Sequence, residues 1–138
     1  MGGVGGTLAG NALSIAAVCA TLGEVLTDEA FAHMHALAER FEAGVAEVIA
    51  AHRLPWSVTR LGARVEYRFA DPAPRTGTEA AAVHDQELDD FLHTYMANRG
   101  ILMTPFHNMA LMCPATTEAD VDDHTRAFSN ALDSLFPS

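Results

Sequence analysis

Apolar positions recur along this chain with two periods, and the points where one gives way to the other mark out the elements. "ALSIAAVCATL" is apolar on more than one face, and Asn11 ahead of it serves as an N-cap for a helix running to about Val25. A second helix starts at "TDEA", with Thr27 as cap and Asp28 and Glu29 at the positive end of the dipole. Phe31, Met34, Leu37, Phe41, Val45 and Val48 then return at three- and four-residue steps, which predicts a long amphipathic helix ending near His52 with that stripe buried.

Pro55 breaks the helical period, and "WSVTRLG" and "ARVEYRFA" read as two strands. In the second, Ala63, Val65, Tyr67 and Phe69 point one way and Arg64, Glu66 and Arg68 the other, so the sheet is expected to have one wet face. "DPAPRTG" is a loop by its prolines and glycine. "DQELDDFLHTYMANRG" is a helix with Leu88, Phe91, Leu92, Tyr95 and Met96 inward and Gly100 ending it. "ILMTP" and "MALM" read as short strands, and a last helix opens on the capping box Thr117 to Asp120 with Val121, Thr125, Phe128, Leu132 and Leu135 as its stripe. The fold class is α+β: a small antiparallel-type sheet with helices packed on one face, preceded by a Gly-rich loop and helix. No linker or repeat divides the chain.

Length and charge narrow the function. A chain of 138 residues with 49% apolar side chains is long enough for one buried core. A formal net charge of −10 argues against nucleic acid or an anionic membrane surface as partner, since both select basic surfaces. The apolar run near the start has no basic residue before it and is too short to span a bilayer. "MGGVGG" has Gly6 where a myristoylation site needs Ser or Thr. Cys19 and Cys113, far apart and outside any CxxC pattern, are expected as reduced thiols in a cytoplasmic protein. All eight basic residues are arginine, so the chain has no lysine.

The opening "GGVGGTLAGN" carries the first candidate chemistry. Glycine amides ahead of a helix N-terminus form an anion cradle, to which Thr7 adds a hydroxyl. Neither a Walker pattern nor GxGxxG after a strand is satisfied, so on spacing alone the plain glycine-rich turn is the favoured reading.

Two separated stretches carry a family likeness. "GGTLAGNALSIAAVCATLGEVL" resembles the "GT-x-x-GNP-x-x-x-AA-x-x-AT-L" segment of the class III (fold type I) pyridoxal-phosphate aminotransferases, and within them glutamate-1-semialdehyde aminomutase and its aminotransferase relatives. "NRGILMTPFHNMALMCPATTEADVDDHTRAF" is similar to the carboxy-terminal "GV-x-x-x-P … S … HT-E-D-I" segment of the same family, while Ala12 departs from the usual proline. The resemblance implies that residues 1–26 are a Gly-rich loop and linking helix from the end of a large domain, and residues 27–138 the carboxy-terminal small domain. It implies that Gly6 and Thr7 bind the phosphate of pyridoxal 5'-phosphate in the neighbouring subunit of a homodimer, with a small-molecule amino acid substrate. It places His107 and Asn108 at the active-site mouth, as substrate-gating candidates, although the residues alone favour a satisfied loop histidine.

The family's Schiff-base lysine lies upstream of these motifs, so no catalytic residue is assigned here and the chain alone is expected to be inactive. Met1 directly before glycines that read as mid-protein loop points to a shortened reading frame. The alternative is a stand-alone α+β binding or dimerisation module without chemistry. No metal site is expected, because His33 and His35 are two apart on a helix and face different ways. Arg64 and Arg68 are expected to make solvated cross-strand pairs with acids, and the Met-rich run "ILMTPFHNMALM" to be core.

Overall fold

The computed structural model describes residues 10–105 and 107–136. Among these residues five α-helices and three strands follow one another as α1 (Ala12–Ala20), α2 (Asp28–Ala51), β1 (Ser57–Leu61), β2 (Arg64–Arg68), α3 (Gly77–Ala82), α4 (Gln86–Ala97), β3 (Met109–Leu111) and α5 (Glu118–Leu135). The strands form one antiparallel sheet in the order β1-β2-β3, with Ser57 opposite Arg68 and Glu66 opposite Met109. A two-residue hairpin joins β1 to β2, and Gly62 supplies the positive φ of 60° that its first central position requires.

Side chains set the helix starts. Asn11, Thr27, Thr76, Asp85 and Thr117 each accept a hydrogen bond from a first-turn amide, and Thr117 and Asp120 close the reciprocal box. Asp replaces the usual Glu there without loss of either bond. Past Ala20 the first helix widens into a π turn, Thr21–Val25. At the other end of α4, Gly100 with φ 80° takes the chain out of the helix.

The core lies between the sheet and α2, α4 and α5. Tyr67 and Val65 of β2 pack with Phe41 and Val45 of α2, Leu92 and Met96 of α4, and Phe128 and Leu132 of α5, all fully buried or within 2% of it. Each such side chain contributes about 1.5–3 kcal/mol. α2 and α5 approach closely at Gly44, where an added Cβ would stand 2.8 Å from Thr125 Oγ1. Arg40 clamps the same pair outside the core, with its fork on both oxygens of Asp122 at 2.7 and 2.8 Å.

Four expectations need correction. "ILMTP" is not a strand: it runs beside the sheet edge, tied by the Thr104 amide to the Met109 carbonyl at 3.4 Å. The segment after "DPAPRTG" forms the short helix α3, which no stripe announced. The buried stripe of α2 is Met34, Leu37, Ala38, Phe41, Val45 and Ile49, with Phe31 43% exposed, because the helix drifts against the sheet and outruns it at its start. In α5 the buried positions are Val121, His124, Ala127, Phe128, Ala131 and Leu132, while Thr125 and Leu135 are only partly covered. α1 buries none of its residues and exposes Leu13, Ile15 and Val18, and the π turn that follows exposes Leu22.

Candidate functional site

The connection from α4 to β3 carries His107 and Asn108, and three elements fix it. The Tyr67 amide of β2 donates to the Asn108 carbonyl at 3.1 Å, extending the ladder past β3 by one residue. The Asn108 side chain, 6% exposed, donates from Nδ2 to Asp89 Oδ1 of α4 at 2.5 Å. A carboxylate accepts only, so the amide nitrogen must face Asp89. The other Asp89 oxygen is 3.0 Å from His84 Nδ1. Asn108 is thus built into the fold by its side chain and backbone together, and His107 stands beside it half-exposed.

His107 Nδ1 lies 3.3 Å from Glu66 Oε1, which leaves Nε2 as the ring atom for other partners. Glu66 is the surprise of the sheet. Expected on a wet face, it is 7% exposed, because Arg64 and Arg68 close over it at 2.6 Å each and His107 covers what remains. The arginines therefore pair along their own strand, not across to a neighbour. Two guanidinium groups bind the one carboxylate, whose Oε1 faces the imidazole Nδ1.

Among the described residues this side of the sheet therefore brings together a half-exposed His107 imidazole facing Glu66, two arginines already engaged on that carboxylate, and the His84–Asp89–Asn108 chain. Glu66, Asp89 and His84 were not singled out by sequence. Asp89 is 19 residues from Asn108 and Glu66 is 41 from His107, separations no local motif spans. Gly6 and Thr7 lie outside the described residues. The described start of α1 places the Asn11 side chain on the Ser14 amide at 3.0 Å, so an anion ahead of the helix would meet the remaining amides and the dipole.

Elsewhere, Cys19 and Cys113 are exposed free thiols. The Thr116 hydroxyl holds the Cys113 thiol below its ordinary pKa. His33 Nε2 meets the Thr116 carbonyl at 2.8 Å, while His35 lies against Phe31. Met103 and Met112 of the Met-rich run are buried, Met103 accepting from the Tyr67 hydroxyl at 3.7 Å. Among the described residues, no helix is long and apolar enough to cross a membrane.

No family model matches the chain. Glutamate-1-semialdehyde 2,1-aminomutase 1 of Staphylococcus epidermidis is 33% identical over 128 residues, or 92% of this chain and 30% of that protein. A solved glutamate-1-semialdehyde-aminomutase from Pseudomonas aeruginosa PAO1, one of whose structures is in complex with PMP, matches with a TM-score of 0.92 and 53% identity over 96% of this chain and 29% of that one. A β-phenylalanine aminotransferase from Variovorax paradoxus shares the fold, with a TM-score of 0.75 at 23% identity over 97% of this chain and 31% of that one.

The architecture is that of the class III, fold type I, pyridoxal-phosphate-dependent aminotransferases, and the chain corresponds to their carboxy-terminal portion. Within that class the sequence match is to glutamate-1-semialdehyde aminomutases. The chain spans about 30% of the length of the curated relatives it matches.

Proposed function

We propose that this chain is the carboxy-terminal part of a glutamate-1-semialdehyde aminomutase-like enzyme, an aminomutase or aminotransferase acting on amino acids or amino-aldehydes. The observation that carries the reading is the agreement with the P. aeruginosa structure over nearly the whole chain. Pyridoxal phosphate, when bound, supplies the electron sink for chemistry at the amino-bearing carbon.

The chain's own residues bind and position. Residues 1–26 would form the loop and linking helix, with Gly6 and Thr7 holding the cofactor phosphate of the partner subunit in a homodimer; the uncovered start of α1 supports this. Residues 27–138 would be the small domain, with His107 and Asn108 gating the substrate from the cluster around Glu66 and Asp89. We place the protein in the cytoplasm on its two unpaired thiols.

With no lysine, the chain cannot anchor the cofactor covalently and should be inactive alone. Treating it with pyridoxal phosphate and borohydride should leave no stoichiometric adduct on an internal side chain by mass spectrometry; such an adduct would sink the reading. The missing lysine favours one other reading, a stand-alone non-catalytic α+β binding or dimerisation module. The coding sequence just upstream decides between them: an in-frame large domain bearing a lysine supports the enzyme, and its absence supports the module.

A further inference from the structure

A cleft of about 190 Å³ opens between the 101–104 segment, β3 and the first turns of α5. Phe41, Met103, Ala110, Met112 and Val121 give it an apolar lining. His124 forms part of its wall and is 5% exposed, and among the described residues neither of its buried ring nitrogens has a hydrogen-bonding partner. Phe41 lies 4.4 Å and Phe128 6.0 Å from the imidazole, centroid to centroid, so aromatic rings cover it.

More than nine in ten buried polar groups are paired, and leaving one unpaired carries a desolvation penalty. Of the other polar residues of the lining, Thr104 is partly buried, and Asp120 and Thr116 have local work. Asp120 is bound to the Thr117 amide and hydroxyl at 2.8 Å, and the Thr116 hydroxyl is engaged with Cys113. Burial lowers the His124 pKa to about 4, so the ring is neutral at pH 7 and presents one N–H donor and one nitrogen acceptor. An apolar cavity of roughly 150 Å³ is known to take benzene. This one is somewhat larger and carries a polar handle.

We propose that the cleft is a binding site for a compact neutral molecule, an aromatic or alicyclic body of about six to ten heavy atoms bearing one hydroxyl or amide that pairs with His124. The apolar lining disfavours charged ligands, which would lose their hydration there. This site stands apart from the His107 cluster and does not depend on the reading of the chain as an enzyme.

Methyl-labelled methionine spectra of the 138-residue chain test it, with phenol and toluene as probes. Phenol should shift the Met103 and Met112 methyl signals saturably and bind about three- to tenfold more tightly than toluene, the worth of one net hydrogen bond. In His124→Phe that preference should fall to about one. Equal affinities in the unsubstituted chain, tighter binding of benzylamine than of phenol, or no saturable shift of these two methyls would overturn the proposal. Because the phenol-to-toluene ratio is read without any substitution, the test stands even if His124→Phe fails to fold.

Discussion

Lowering the pH from 7 to 5 should destabilise this protein through His124 in particular. Burial brings the folded-state pKa from 6.5 to about 4, so the unfolded chain takes up a proton over a range in which the folded chain does not. Stability therefore falls as pH drops below about 6.5 and levels off below about 4, where both states are protonated. The full effect is about 3 kcal/mol, of which about 2 kcal/mol is lost by pH 5. His52 works the other way. Its Nδ1–H donates to the Val48 carbonyl at 2.9 Å and Asp133 lies 3.0 Å from Nε2, which raises its pKa and adds stability on acidification. The quantity to measure is thus the difference between the unsubstituted chain and His124→Phe. Trp56, the only tryptophan, packs 4.7 Å from Phe69 and reports unfolding by fluorescence in urea. The two stability curves should converge or diverge by about 2 kcal/mol between pH 7 and pH 5. Parallel curves would refute a neutral, buried His124.

Gly44→Ala should cost about 1 kcal/mol net, since the clash with Thr125 outweighs the roughly 1 kcal/mol of helix propensity gained; a higher urea midpoint would contradict the close approach of α2 and α5. Glu66→Ala should destabilise by about 1–2 kcal/mol, because two partly exposed guanidinium groups lose their shared carboxylate, and removing Arg64 and Arg68 as well should recover part of that loss in the same melts. The uncovered apolar surface of α1 and the π turn after it should make the chain self-associate at micromolar concentration, and Val18→Glu with Leu22→Glu should return it to monomer in sedimentation velocity; a monomeric unsubstituted chain would remove the argument.

What could be read in advance was local. Asn11, Thr27 and Thr117 announce their helices because a cap acts on amides two or three residues away. The alternation in β2 placed Val65 and Tyr67 correctly for the same reason. "ILMTP" misled because apolar residues beside a sheet edge look like strand residues whether or not they join the ladder. Glu66 misled because alternation gives the face of a residue and not what closes over that face. His124 could have been found: it falls three residues after Val121 and four before Phe128, on the stripe itself, where a polar residue reads as a gap. His107 and Asn108 were located as a loop, but their partners come from β2 and α4 and are joined only by folding.

The clamp at Glu66 has a consequence for how this sheet can vary among related chains. Position 66 is tolerable as a carboxylate only while both flanking arginines remain, and the arginines are tolerable so close together only while the carboxylate remains. The three positions should therefore drift as one inherited character: relatives that have lost the acid should also have lost at least one arginine, and His107 should be free to change wherever the trio has gone.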